Sequence, residues 1–400
     1  MNSTGLSNGT VLTGFTTMGH CAVLVEDGFV ADVLFQKRFE KKNLTSDTKI
    51  IDVQGNYIVP GFIDTHIHGF AGFGTEDAFE SMEKGTNSML EMAMRLPEYG
   101  VTAFHPTLFP EEPEKMLRAV KSISAAVGKG KGARILGLHL EGPFISPERL
   151  GFMKREAVQA VDVSFMQKLW DASEGKIVNM TVAPELKGMR ELALFCLKKG
   201  IILQAGHTNA EYENMAEGMQ TGILHSTHLF NAMRRLDHRN PNTVGAILIH
   251  PEISCEIIPD GFHVHPDLFK LLIRDKPIDR IVTITDALKA TEQKGGPFTS
   301  NNEEVYLLYG VFHRKSDDVI AGSALTMIQG IRNLVNFGLS LEDAVKTATS
   351  NPAQVMRYSN MGVIIPGHIA DLTVFDKDFN IKLVMVGGEI IINKLEEEVV

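Results

Sequence analysis

Six ionisable side chains fall where short apolar runs of this chain end: His66, His68, Glu141, His207, His228 and Asp286. His66-Ile67-His68 closes the run Tyr57 to His68. Side chains on a strand alternate with period two, so both imidazoles point to one face and can share a cation. Thr65 and Ile67 then point outward. Glu141 continues the apolar run Ile135 to Leu140. A carboxylate there is costly to bury without a cation or hydrogen bonds. His207 ends Gln204-Ala205-Gly206-His207, His228 follows Ser226-Thr227, and Asp286 ends Ile281-Val282-Thr283-Ile284-Thr285. Each has an ordinary reading as well. The histidines fit hydrogen-bonded core residues, Glu141 a solvated loop start, and Asp286 the N-cap of a following helix. Those readings must all hold at once, at the same end of one strand after another. Imidazole and carboxylate donors without thiolates suit zinc, iron, manganese or cobalt. A cation held by separated strands keeps coordination positions open, lowers the pKa of a bound water and polarises a carbonyl. Asp286 is then placed as the general base, taking the water's proton and delivering it to a leaving amine. The chain has no G-x-S-x-G elbow and no paired-cysteine motif, so direct attack by water is favoured over an acyl-enzyme.

Such a site needs elements that bring distant residues together. The middle of the chain alternates short β-branched runs with helical patterns. The runs are Tyr57 to His68, Val101 to Leu108, Ile135 to Leu140, Ile177 to Ala183, Ile201 to Ala205, Ile223 to His228, Cys255 to Pro259 and Ile281 to Thr285. Met189 to Lys199 and Pro266 to Asp275 carry helical spacing. Eight strands alternating with helices predict an α/β fold, a parallel (β/α)8 TIM-like barrel. In that fold the active site lies at the C-terminal ends of the strands, where the six residues fall. Both termini read as β instead. Val23-Leu24-Val25 meets Phe29-Val30 across Asp27-Gly28, and Leu383 to Val386 meets Glu389 to Ile392 across Gly387-Gly388. Residues 1–59 and 365–400 are expected to form a small β-sandwich domain, and residues 60–364 the catalytic barrel. Gly128-Lys129-Gly130-Lys131-Gly132 precedes a strand and reads as a surface turn, not a phosphate loop.

Composition sets outer limits. The 400 residues are 44% hydrophobic and 22% charged, which is ordinary for a globular protein with a large core. A net charge of −10 disfavours nucleic acid and anionic membranes as partners, and an anionic substrate needs local cations. Cys21, Cys196 and Cys255 are odd in number and widely spaced, which fits a reducing, cytoplasmic location. Met1 to Thr17 lacks the pattern of a signal peptide, and no apolar stretch is long enough for a membrane span.

The motifs resemble the amidohydrolase superfamily and, within it, the N-acetylglucosamine-6-phosphate deacetylase family. The strings are Pro60-Gly61-Phe62-Ile63-Asp64-Thr65-His66-Ile67-His68-Gly69, His139-Leu140-Glu141-Gly142-Pro143-Phe144, Gly206-His207-Thr208 and Thr227-His228-Leu229-Phe230-Asn231-Ala232-Met233. Asp260-Gly261-Phe262-His263-Val264-His265, Thr285-Asp286-Ala287 and Ala321-Gly322-Ser323-Ala324-Leu325 follow in the family's order. The resemblance implies hydrolysis of an N-acetyl group from an amino-sugar 6-phosphate, in a homodimer. It implies one or two divalent transition ions per subunit, zinc foremost. Glu141, His207 and His228 would hold the main ion, with Glu141 bridging to a second at His66 and His68. Asp286 matches the catalytic aspartate. Asn231, Ala232, Arg239, His263 and the flanking Asp260, Gly261 and Phe262 match substrate positions, as do Phe152, Met153, Ile320, Ala321 and Gly322. Arg239 would reach the neighbouring subunit's site. Where the family has Lys-Gly-Ala-His, its histidine touching the sugar, this chain has Leu150-Gly151-Phe152-Met153. A thioether cannot donate or accept as imidazole does. The alternatives are therefore N-acetylgalactosamine 6-phosphate, another N-acyl amino-sugar phosphate or a cyclic amide, and, as a separate class, a non-catalytic barrel.

Overall fold

The computed structural model describes residues 3–44 and 46–395. Eight parallel strands form the barrel: β1 (Phe62–Ile67), β2 (Val101–Leu108), β3 (Leu138–Glu141), β4 (Ile177–Val182), β5 (Ile202–Ala205), β6 (His225–Ser226), β7 (Ser254–Ile257) and β8 (Ile281–Thr283). Each pairs with the next in chain order. The ring closes just beyond β8, where the Asp286 N–H donates to the His66 carbonyl at 2.9 Å and the His68 N–H to the Ala287 carbonyl at 3.0 Å.

The two faces of these strands differ in chemistry. Phe104, Leu108, Leu138, Leu140, Met180 and Leu203 pack outward in the main core. The lumen holds a column of hydrogen-bonded polar side chains. His105 Nδ1 lies 3.1 Å from Asn179 Oδ1, Asn179 Nδ2 donates to Gln204 Oε1 at 3.1 Å, and Gln204 Nε2 donates to Glu256 Oε1 at 3.2 Å. Burial pushes the His105 imidazole down to about 4, so it serves this column as a neutral ring. A buried polar network is tolerated only when its members are satisfied, which this chain of side-chain pairs achieves.

The helices follow the sequence pattern. Met189–Lys199 is a helix stopped by Gly200, whose φ of 77° is the left-handed conformation of a C-terminal cap. Pro266–Asp275 is also a helix, with proline in its first turn.

The terminal strands join one sheet in the order of Glu389–Asn393, Ile381–Val386, Leu372–Phe375, Tyr57–Pro60, Ser3–Leu12, Thr17–Glu26 and Phe29–Phe35. Lys49–Asp52 also pairs with Ser3–Leu12. On one face of the sheet Leu6, Val23 and Val25 share a core with Leu372, Leu383 and Met385, while Ala22, Leu24 and Leu34 pack with Phe39 in a second, smaller cluster. Asp27 and Gly28, at φ 47° and 88°, make the expected tight turn, with Val25 paired to Val30.

Two features depart from the sequence reading. The run Tyr57 to His68 is two strands. Tyr57–Pro60 pairs antiparallel with Leu372–Phe375 in the terminal sheet, and β1 belongs to the barrel. Gly61 makes the transfer against the second strand, where an added Cβ would lie 2.1 Å from Thr102 Oγ1. Between β8 and the next helix, Phe298–Ser300, Glu303–Leu308, Val311–Arg314 and Ile320–Ser323 form an antiparallel meander. Its strands are short, and the longest, Glu303–Leu308, buries only Val305, so it lacks the apolar signal of a core strand. Among the described residues no helix is long and apolar enough to cross a membrane.

Candidate active site

His66 lies on β1, His68 just past it, and Glu141 is the last residue of β3. His207, His228 and Asp286 lie just beyond β5, β6 and β8. The last three have φ of 46°, 20° and 49°, the left-handed region that non-glycine residues avoid. Each such residue costs on the order of 1–3 kcal/mol and persists where surrounding structure enforces it, typically at functional sites. The turns redirect each chain over the barrel mouth and aim its side chain at the axis.

The donor atoms converge. Glu141 Oε1 is 3.0 Å from both His207 Nε2 and His228 Nε2, and these nitrogens are 3.2 Å apart. Glu141 Oε2 is 3.1 Å from His68 Nε2. Asp286 Oδ1 is 3.3 Å from His68 Nε2 and 3.5 Å from His66 Nε2. His66, His68 and Asp286 form one set able to hold a cation, and Glu141, His207 and His228 another, with all donor atoms of a set within 4.8 Å.

The partners on the far side of each ring fix which nitrogen faces inward. His68 Nδ1 sits 3.0 Å from the Thr107 carbonyl, and His207 Nδ1 3.0 Å from the Arg149 carbonyl. A carbonyl only accepts, so Nδ1 carries the hydrogen and Nε2 presents its lone pair to the centre. His66 Nδ1 is held by Glu256 Oε2 at 3.1 Å, and its buried Nε2 has no hydrogen-bond partner. Lone pairs and carboxylate oxygens this close repel unless protons or a cation lie between them. The donor set therefore fits a divalent transition ion. Burial opposes charge on these groups, but their mutual attraction outweighs it. It holds His66 and His68 above the usual imidazole range, and Glu141 and Asp286 below that of a carboxylate.

A cleft of about 320 Å³ opens onto the centre. Phe109 stacks flat on His68, centroids 3.7 Å apart, and Phe152 meets Phe109 edge-on. Met153, Asn231, Ala232, His263 and the segment 319–322 complete the wall, which contains no lysine or arginine. His263 Nδ1 is held by Asp260 Oδ2 at 2.5 Å. Burial opposes its charge, but Asp260 raises it above the usual imidazole range.

The Amidohydrolase family matches residues 57–391. N-acetylglucosamine-6-phosphate deacetylase of Lysinibacillus sphaericus is 32% identical over 343 residues, covering 85% of this chain and 87% of that protein. The Bacillus subtilis protein of the same name is 33% identical over 339 residues, covering 83% and 84%. The chain belongs to this amidohydrolase family, among its N-acetylglucosamine-6-phosphate deacetylases. The solved deacetylase of Pasteurella multocida superposes with a TM-score of 0.88 at 29% identity, covering 97% of this chain and 99% of the other. A Mycobacterium smegmatis mutant in complex with N-acetyl-D-glucosamine-6-phosphate gives 0.89 at 29% identity, covering 98% and 100%.

In this deacetylase-family chain, the six residues singled out by sequence meet at one centre. Phe152, Met153, Asn231, Ala232, His263, Ile320, Ala321 and Gly322 line the cleft. Gly322, at φ 156°, lets the backbone pass Asp286: an added Cβ would lie 3.0 Å from the Asp286 carbonyl. Asp260, Gly261, Phe262 and Arg239 are outside the wall. Asp260 acts on it through His263, Phe262 is half exposed and stacks on Tyr309, and Arg239 lies on an exposed loop. Asp286 is not a helix N-cap, since the chain after it enters a turn. Thr65 does not point outward. A bulge between Asp64 and Ile67 shifts β1, and the Thr65 hydroxyl lies 3.4 Å from Glu256 Oε1.

The sequence reading passed over Glu256, Phe109 and the carbonyls of Thr107 and Arg149. Glu256 carried a signal, a lone carboxylate inside the run Cys255 to Pro259. The backbone partners carried none. Gly206 also matters for a reason only packing reveals. An added Cβ would lie 2.6 Å from Thr227 Cβ and 2.8 Å from Thr181 Cγ2. Gly206→Ala is expected to destabilise by about 1–3 kcal/mol through overpacking beneath His207. Urea unfolding tests this, and an unchanged midpoint would show that the two threonines yield.

Proposed function

We propose that the chain hydrolyses the N-acetyl group of N-acetylglucosamine 6-phosphate, giving glucosamine 6-phosphate and acetate. The observation that carries this is the convergence of imidazole Nε2 atoms and carboxylates around Glu141, with Asp286 at the floor of the cleft. We assign residues 60–364 to catalysis and 1–59 with 365–400 to the supporting β domain, of which 1–2, 45 and 396–400 lie outside the described residues.

We assign Glu141, His207 and His228 as the residues that would hold one divalent ion, and His66 and His68 as those that would hold a second. Zinc is our first choice, with iron, manganese and cobalt suited to the same donors. A divalent ion held there would supply Lewis-acid chemistry, lowering the pKa of a water and polarising the amide carbonyl. Asp286 accepts the attacking water's proton on its carboxylate and hands it to the amide nitrogen as the C–N bond breaks. Asn231 and Ala232 border the sugar. His263, its Nδ1 locked on Asp260, turns Nε2 toward the anionic end of the substrate.

The absence of lysine or arginine from the wall supports a homodimer in which Arg239 of one copy meets the phosphate bound by the other. Arg239→Ala should then raise KM for the 6-phosphate roughly ten- to a hundred-fold, the loss of a charge-assisted hydrogen bond. It should leave turnover of unphosphorylated N-acetylglucosamine unchanged. Equal losses on both substrates would remove Arg239 from phosphate recognition. The three free, buried cysteines support a reducing cytoplasm.

One observation favours a second sugar. Met153 brings the cleft wall no donor and only a weak sulfur acceptor. An acetate-release assay over N-acetylglucosamine 6-phosphate, its galacto epimer and their unphosphorylated forms, with metal content measured alongside, tests both readings. We expect the gluco 6-phosphate to turn over fastest. Release from neither epimer by metal-replete protein would end the proposal.

A further inference from the structure

Glu256 is a carboxylate at this centre whose role is unassigned. It lies on β7 and is fully buried. Its Oε2 is 3.1 Å from His66 Nδ1 and accepts the His228 N–H at 3.4 Å. Its Oε1 accepts from Gln204 Nε2 at 3.2 Å and Thr65 Oγ1 at 3.4 Å, and lies 3.6 Å from His225 Nε2. No lysine or arginine is among these partners. A buried carboxylate held only by dipoles and imidazoles is expensive unless positive charge sits nearby.

The other rings of the centre are held differently. His68 and His207 rest on neutral backbone carbonyls, and His228 Nδ1 has no partner. His66 alone donates to a carboxylate. Such a partner fixes the tautomer and makes the ring a stronger electron donor at the opposite nitrogen. That nitrogen, His66 Nε2, lies buried and unpartnered between Glu141 Oε1 at 3.6 Å and Asp286 Oδ1 at 3.5 Å. Charge points the same way. With the imidazoles neutral, as metal ligation requires, Glu141, Asp286 and Glu256 place three buried negative charges here, more than one divalent ion cancels.

We propose that Glu256 is a positioning residue for the ion at His66 and His68, and through it decides whether the subunit carries two ions or one. The inference rests on the metal-dependent reading above. Through the His228 N–H the same oxygen also touches the second set, but only at backbone, so its effect is selective.

The test uses the full-length protein, loaded with Co²⁺ and then dialysed against a weak chelator. Wild type should retain two ions per subunit and give the electron paramagnetic resonance signature of a coupled pair. Glu256→Gln should bind the second ion about ten- to a hundred-fold more weakly. It should retain one ion, show an uncoupled Co²⁺ signal and have a near-native melting temperature. Glu256→Asp, which keeps the charge but withdraws it by one methylene, should give the same selective loss and serves if the glutamine variant does not fold. Two ions retained in either folded variant, or both ions lost together, overturns the proposal. One ion in wild type also overturns it, and leaves the hydrolase reading intact. Metal-free wild type that still releases acetate would instead overturn the metal-dependent reading itself.

Discussion

Replacing Asp286 with asparagine is expected to lower kcat by about 10²–10⁴, the range for loss of a general base, with the fold and the ion at Glu141, His207 and His228 retained. The amide has the shape of the carboxylate, and the local backbone does not depend on the charge. The Asp286 N–H bonds the His66 carbonyl, and its own carbonyl accepts the Ser323 N–H at 3.0 Å. What is lost is an acceptor for a proton at the cleft floor. Exposure separates this residue from Glu141: its side chain is 12% exposed against 2% for Glu141. Both line the cleft, but Asp286 is the more open of the two to substrate and water, while imidazoles surround Glu141. Burial raises the pKa of Asp286, but the nearby His66 and His68 pull it below the ordinary carboxylate range. It stays ionised in mildly acid solution, so the acid limb of the kcat profile should lie below the usual carboxylate value. The decisive measurement is kcat together with metal content. Native turnover by Asp286→Asn would place the proton acceptor elsewhere, and loss of all metal would make the residue a ligand first.

What the sequence revealed, and what it hid, follows from how each contact is made. His66, His68, Glu141, His207, His228 and Asp286 were legible because strand ends are marked by where apolar runs stop, and a barrel gathers strand ends in one place. Glu256 was hidden by the reverse circumstance. It sits inside a strand and points into a lumen that the pattern treated as apolar, although Gln204, Asn179 and His105 make it polar. Tyr57 to His68 looked like one strand because both sheets demand the same β-branched and aromatic residues. Only Gly61 marks the crossing, and a glycine in a run signals several things. The meander that brings Ile320 to Gly322 over the cleft was hidden because its outward face is exposed, with Leu307, Leu308 and Tyr309 at 48%, 40% and 75%. Arg239 is a case apart. Its proposed partner lies on another copy, so neither pattern nor a single chain's packing can show it.

Removing the cation should abolish turnover and also lower thermal stability, and the second effect should grow with pH. In metal-free protein His66 and His68 have folded pKa values raised above the unfolded value of roughly 6.5. Their contribution is fully present below that value and is lost as pH rises through the folded values. Glu141, Glu256 and Asp286 have lowered values, so theirs is present above roughly pH 4 and is lost as pH falls through the folded ones. Metal-free protein is thus held together by protons shared between imidazoles and carboxylates, and alkali removes them. Bound metal needs the imidazoles without those protons, so its affinity rises over the same range. At a thousandfold excess over Kd a ligand adds about 4 kcal/mol to stability. Chelation should therefore lower Tm modestly at pH 6 and by several degrees more at pH 8.5. His66→Asn, which takes away one of the proton-holding rings, should flatten the difference. A Tm shift on chelation that is identical at the two pH values would mean that protons and metal do not compete for these nitrogens. Full activity after exhaustive chelation would mean that the centre holds no catalytic ion at all.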